Sequence, residues 1–422
     1  MADSVTTAGP ARVSALAPLR NPAFARLWFG AITSNIGTWM EAVALGIYVQ
    51  RTTGEARWTA SVAAAAFLPI AIFGPLGGAL ADHVSRKLVI VGTSLVQAAL
   101  AASLATVFAN GSPTPGLVTL IAFGSGVCAA LGFPAFQAIL PDLVPPEALP
   151  GAIALSSAQY NLGRVFGPVL AGIVIAGDRF FAAVTINAAS FLVVVAVVLT
   201  LRLPRPVAQP ERIGFLGTLA GGLRFVRGDP GLRVNVATLA LSSFVAAPFI
   251  ALIPTMAEEV LATPDGTALL IAAQGVGAVA MAFAVGPIMA RWGPRRLLFT
   301  TMSLLPLALS SYALAATLRT AAIAIVFVGA CYLGALSTMT TVAQLRAPTE
   351  LRGRVLAVHT VVLGSFYPVG AMIQGEVADA IGLPRTTVGA AALLAAVLLI
   401  TRALRPGLAR ALDEPPALPS AP

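Results

Sequence analysis

Charge is what this sequence has least of. Charged side chains make up 10% of the 422 residues, against roughly 25% in an ordinary soluble domain, and that shortage excludes a water-soluble fold with a polar surface. His83 and His359 are the only two histidines, too few for a metal centre built on imidazole. Cys128 and Cys331, the only cysteines, each lie within a long apolar run, so two buried free thiols are expected and no disulfide framework. There is no Walker loop, zinc spacing or nucleophile elbow. Gly275-Val276-Gly277 is a dinucleotide-loop fragment only if a strand precedes it, and the pattern predicts a helix there. No cofactor, metal or enzyme chemistry is therefore expected. The residues before Pro22 are small, polar and broken by proline, without the apolar core and cleavage site of a secretory signal, so an uncleaved N-terminus is expected.

Apolar runs fill the space that charge leaves. Hydrophobic residues reach 58%, and a helix of roughly 20 residues crosses a hydrocarbon core of about 30 Å. Runs at 26–49, 58–81, 88–109, 116–138, 150–176, 180–201, 234–257, 266–289, 297–317, 320–344, 354–379 and 385–404 predict an all-α integral membrane protein with twelve transmembrane helices. The net charge of +9 points to nucleic acid only in a soluble protein. Here most of the 26 basic residues, Arg86, Lys87, Arg202, Arg295, Arg296, Arg352 and Arg354 among them, fall in segments on one side of the predicted spans. The positive-inside rule then places both termini in the cytoplasm, with the basic excess facing anionic lipid. A plasma or inner membrane location follows, with no nucleic-acid partner.

The chain also repeats itself. Asn21-Pro22 before the first run is echoed by Asp229-Pro230 before the seventh, and the same shift carries Gly78 to Gly286. Ala290 then stands where Asp82 stood. Two pseudo-symmetric six-helix halves are predicted, at 1–202 and 229–404, as parallel repeats. Between them, 203–228 opens with Pro204, Pro206 and Pro210 and continues with Phe215, Leu216, Leu219, Leu223 and Val226 at helical spacing, which reads as a linker carrying a short amphipathic helix. The proline-rich residues 405–422 read as a disordered cytoplasmic tail.

Two short stretches carry more than topology. Gly78, Leu80, Ala81, Asp82, Arg86 and Lys87 lie in a tight loop between the second and third runs. The fifth run contains Asn161, Gly163, Arg164, Gly167, Pro168 and Gly172. The first resembles the loop signature G-x-L-A-D-R-x-G-R-K of major facilitator superfamily transporters, with His83 and Ser85 as departures. The second resembles that superfamily's antiporter motif, G-x-x-x-G-P-x-x-G-G, with Ala171 replacing one glycine. Together with Arg26-Leu27-Trp28, Leu140-Pro141-Asp142-Leu143-Val144-Pro145 and Leu351-Arg352-Gly353-Arg354, the chain is most similar to the branch containing the enterobactin exporter and macrolide efflux proteins. The resemblance implies the major facilitator fold and proton-driven export of a small amphiphilic molecule by alternating access. It departs from many proton-coupled drug exporters in lacking an embedded arginine in the fourth helix.

Charges inside the spans need a reason, because each costs several kcal/mol, about 2.5–3.5 on insertion scales. Glu41 in the first helix and Arg164 in the fifth lie at similar depth, roughly 20 Å in at 1.5 Å per residue. They are expected to form an ion pair or share a water-filled cavity, either as a fixed structural bridge or as the proton-coupling pair. Asp82 is expected near Gly353 as a gating latch, with Arg352 or Arg354 close by. His359 reads as a hydrogen-bonded bystander, and Glu376, three residues from Asp379, as a solvated carboxylate. Asn35, Thr38, Trp39, Gln137, Phe244, Tyr332, Thr338 and Gln344 are the candidate substrate-cavity positions. The expected partners are a small-molecule substrate, protons and the lipid bilayer, with the chain acting as a monomer. An importer or facilitator of a polar nutrient, with Glu41 and Arg164 binding substrate, is the alternative.

Overall fold

A computed structural model describes residues 16–203, 215–263 and 266–404, with Gly407, Ala411 and Leu412 of the tail. The N-terminal arm, residues 204–214, most of the tail and the Asp82 side chain lie outside the described residues. Among those described, every regular element is helical. The long ones are α1 (Pro22–Thr53), α2 (Ala56–His83), α3 (Arg86–Asn110), α4 (Pro115–Leu143), α5 (Leu149–Val174) and α6 (Phe180–Thr200). After α7 (Phe215–Gly228), α8 (Pro230–Leu241) and the one-turn α9 (Ile253–Thr255) come α10 (Gly266–Ala313), α11 (Leu318–Arg346), α12 (Thr349–Ile381) and α13 (Leu383–Leu404). Nine segments of the described residues are long and apolar enough to cross a membrane. α1 and α5 are as long but do not meet that measure. α10 counts once although it is broken at Gly293, whose φ of 78° and ψ of 161° are non-helical. Only glycine adopts that backbone cheaply, and Pro294 restarts the helix after it.

The helix starts follow local chemistry. The Asn21 side chain accepts from the amides of Ala23 and Phe24, and Asp229 accepts from Leu232, so the two echoed X-Pro sites are both N-caps with proline in the first turn. The seventh predicted run is not one continuous helix. α8 passes into a π turn at Ser242–Ala246, a 3-10 turn at Ala247–Ile250, α9, and a second π turn at Met256–Val260. Pro248 and Pro254 supply no amide there. The Gln374 amide from α12 donates to the carbonyls of Phe244 and Val245 at 3.4 and 2.9 Å, meeting acceptors that the irregular ladder leaves open.

Buried apolar residues divide by position in the chain. Two clusters draw only on residues between Phe24 and Leu201, and the largest draws on Val234 to Leu412, joined by Ala56 and Ala60 of α2. α7 lies beside α12, with Gly221 and Gly222 against Arg354 and Val358. Val226 is buried, whereas Leu223 of the predicted apolar stripe is exposed, so the buried face of α7 is rotated from the sequence expectation by the choice of glycines as the contact.

α2 and α12 run antiparallel across the middle. A Cβ on Gly375 would lie 2.8 Å from that of Ala60, and one on Gly364 would lie 3.3 Å from that of Ala71. Continuing this register by three more turns brings residue 82 opposite Gly353. There a Cβ on Gly78, on the same face of α2 as Ala71, or on Gly353 would meet nothing within 4 Å among the described residues.

Candidate functional site

At the end of the bundle that holds Gly54 and Gly382, side chains from both parts of the chain interlock. Arg51 of α1 grips Glu258 with two nitrogens, Nε to Oε2 at 3.0 Å and Nη2 to Oε1 at 3.2 Å, and also donates to Asp178 at 2.8 Å. The neighbouring Gln50 is buried. Its Oε1 accepts from Thr59 and Thr255 at 3.0 and 2.5 Å, while its Nε2 donates to Glu259 at 3.4 Å. The N-cap of α2, Glu55, makes no capping bond with its side chain. The first amides of α2 are met instead by Asp379 of α12, which accepts from Ala56 at 2.6 Å and Arg57 at 3.1 Å. A carboxylate at a helix N-terminus is favoured by the dipole as well as by the hydrogen bonds. Sequence reasoning missed this network; its signal was Arg51, one of the few basic residues on its side, with the acids Glu258, Glu259 and Asp379 to receive it.

The interior site is built by α1, α5 and α6. Gly163 and Gly167 let α5 approach α1 closely. A Cβ on Gly163 would lie 2.8 Å from that of Asn35, and one on Gly167 2.9 Å from the Met40 amide, spacings only glycine allows. Gly172 looks the other way, toward Ala268 of α10, so the motif splits between a contact inside the first part of the chain and one across to the second. Pro168 is buried within α5. Trp39 stacks edge-on with Tyr160 at 5.8 Å between ring centroids, and the Arg164 guanidinium lies over the Trp39 ring at 5.8 Å.

Glu41 and Arg164 do not form the expected pair. Glu41 is 7% exposed and accepts from the Asn187 amide of α6 at 2.6 Å. One turn back on α1, Gly37 sits against Asn187 and Ser190, which fixes that face of α1 on α6. Trp39 lies about 200° around the helix from Glu41, and it is Trp39 that Arg164 meets. The angle around the helix separates the two charges.

The basic loop residues act as helix-end caps. Arg86 donates to the Ala138 carbonyl at 2.9 Å and pairs with Asp142 near the end of α4, and Lys87 donates to the carbonyls of Leu199 and Leu201, the favourable place for a cation. Arg352 donates to the Gln344 carbonyl at 3.0 Å, and Arg354 packs against Gly221 and Gly222 of α7; the expected latch with Asp82 at the end of α2 lies outside the described residues. Of the cavity candidates, Trp39 lies under the Arg164 guanidinium and Tyr332 feels its charge, while Asn35 packs against Gly163, the residue before Arg164 on α5. Thr38 is exposed on α1. Gln137 accepts from Ser156 between α4 and α5. Thr338 is fully buried and donates to the Gly334 carbonyl of its own helix, and the Gln344 side chain sits exposed at the end of α11. Phe244 stacks on Phe366 and walls a groove of about 230 Å³ between the first π turn, α12 and α13. These five leave the interior site because helical periodicity, read without the packing partner, does not say which face meets the cavity.

Known proteins align along most of the chain. Macrolide efflux protein A of Streptococcus pyogenes is 24% identical over 371 residues, covering 85% of this chain and 90% of its own. The multidrug efflux pump Tap of Mycolicibacterium fortuitum is 27% identical over 375 residues, with the same coverage. Among solved structures, a bacterial homologue of the human lysosomal transporter Spinster, in an inward-facing and occupied conformation, superposes with a TM-score of 0.74 at 16% identity, covering 96% of this chain and 99% of that one. The nucleoside transporter NupG superposes with a TM-score of 0.69 at 13% identity, covering 90% and 98%. At these identities the structural likeness speaks for the fold. The transmembrane secretion effector model matches residues 13–419, so the chain belongs to that family of the major facilitator superfamily: a multi-pass membrane transporter and not an enzyme.

Proposed function

We propose that this chain is a proton-coupled exporter of small amphiphilic molecules, working by alternating access between two six-helix halves. Twelve spans result if α1 and α5 join the nine apolar segments and α10 is counted as two helices across Gly293. In this reading α1 to α6 form one half and α8 to α13 the other, the basic Arg86 end and both termini face the cytoplasm, and α7 lies along the cytoplasmic surface. The names of the aligned relatives describe efflux, which supports export over import. A monomer suffices, because both halves lie in one chain.

The observation that carries the mechanism is the asymmetry of the contact between halves. At the outer end Arg51, Gln50 and Asp379 of the two halves interlock with Glu258, Thr255 and the α2 amides. Toward the cytoplasmic end the same two helices carry open space at Gly78 and Gly353. That arrangement is an inward-open state with its outer gate shut. Substrate enters from the cytoplasm, and a second packing with the opposite end closed releases it outside. Glu41 is the carboxyl group placed to carry the proton, held by one neutral amide rather than by a cation. Spin labels on the Gly78 and Gly353 faces, and a second pair at Thr53 and Gly382, test the cycle. Added substrate should shorten the first distance and lengthen the second, while fixed distances in all conditions reject alternating access. In proteoliposomes, Glu41→Gln should bind substrate and lose pH-driven uphill transport; transport at the wild-type rate removes Glu41 from the proton route.

A further inference from the structure

Resting on the transporter reading, we infer that the interior site selects acidic molecules with a flat aromatic body, and that Arg164 is the counter-ion for their acidic group. The faces of α5 give the first step. Leu162, Phe166, Val169 and Ile173 form an exposed apolar stripe that suits lipid. Gly163 and Gly167 face α1, while Val165 and Gly172 face α10. Helical periodicity then leaves Ser157, Tyr160, Asn161 and Arg164 on the side away from lipid, between those two contacts.

Arg164 lies about 22 Å from the start of α5 at 1.5 Å per residue, in the middle of the span, where an unneutralised cation is costly. Elsewhere in the molecule arginines drawn in from solvent hold carboxylates: Arg346 grips Asp229 with two nitrogens, and Arg51 grips Glu258. Arg164 has no ion pair or hydrogen bond among the described residues. Its recorded contact is the Trp39 ring. Nor does any surrounding helix offer an acid at that depth. The middle portions of α2, α4, α10 and α11 contain no aspartate or glutamate, and α12 has Glu350 at one end, His359 about a third of the way along, and Glu376 and Asp379 near the other end. Glu41 is turned to Asn187 on α6. The titratable groups that do share the electrostatic surroundings of Arg164 are the phenols of Tyr160, Tyr332 and Tyr367.

A guanidinium presents a planar fork of donors that fits a carboxylate with two parallel bonds, and ring faces beside it take a flat apolar body. Trp39 with Tyr160, and Phe67 edge-on to Tyr367 at 5.4 Å, supply such faces. A cationic amphiphile brings a like charge to Arg164 and is disfavoured by the same physics. The missing anion thus enters with the cargo.

The test uses the full chain in lipid nanodiscs and three probes on one scaffold: pyrenebutyric acid, its methyl ester and pyrenebutylamine. The acid should bind at least tenfold more tightly than the amine. Arg164→Gln should erase that preference while leaving ester binding within about twofold, and Arg164→Lys should restore part of it. Equal or tighter binding of the amine by the wild-type protein overturns the inference, as does undiminished acid binding by a folded Arg164→Gln protein; the wild-type preference decides even if the variants fail to fold. Transport in proteoliposomes separates the two readings. Acid bound but no probe moved leaves the site assignment standing and sinks the exporter, whereas amine or ester pumped without acid selectivity sinks the site assignment alone.

Discussion

Arg346 and Asp229 show what a charge needs when it is taken out of water. Asp229 is fully buried, and Arg346 is 6% exposed, with two bonds between them at 2.9 and 3.0 Å and a third from Arg346 to the Leu412 carbonyl. Asp229 also caps α8. Removing one partner of such a pair strands the other, at a cost of about 3–5 kcal/mol. Arg346→Ala should therefore lower the melting temperature in detergent sharply. The double variant Arg346→Leu/Asp229→Asn should recover much of that loss, because it leaves no buried charge and an asparagine still caps. Ala411 and Leu412 dock on this site as a short buried turn, so that part of the tail read as disordered has a place against the bundle.

At the scale of the helix, α5 and α2 use glycine differently, and the difference is measurable. A side chain at Gly167 runs into the Trp39 Cβ at 2.5 Å and the Met40 amide at 2.9 Å, so Gly167→Val should destabilise by about 1–3 kcal/mol through overpacking and reduce the folded yield. Gly78→Ala should cost little in the same thermal assay, since the space beside it is open. Both glycines belong to motifs legible in the sequence, as were the helices themselves, because hydropathy reports burial in lipid directly. What the sequence did not convey was azimuth. Spacing along α1 put Glu41 and Arg164 at one depth, yet the side of α1 that faces α6 is chosen by Gly37 fitting against Asn187 and Ser190, a tertiary event. The irregular path from Ser242 to Val260 was hidden for a similar reason: its carbonyls are satisfied by Gln374, more than a hundred residues later in the chain.

For the molecule as a whole, the proposed cycle makes closure at Arg51 a matter of balance between two packings. Glu258→Lys sets two cations against each other at Arg51, and Arg51→Glu/Glu258→Lys restores a pair. A loss of about 1.4 kcal/mol moves the ratio of two states tenfold. The single variant should raise labelling of a cysteine placed at Thr59 by a membrane-impermeant reagent from outside, and the double variant should bring it back; equal labelling in all three proteins removes Arg51 from the gate.

The α2 N-terminus adds its own clock. Its first two amides are met by Asp379 of α12, which the proposed cycle puts in the opposite half, so parting the halves at that end would leave Ala56 and Arg57 donating to water. Those peptide hydrogens should exchange slowly with deuterium in the state described here and quickly each time the outer end opens. The exchange rate of one helix turn then counts transport cycles without any label on the protein, and Asp379→Asn, which weakens the cap, should speed the count even when no substrate is present.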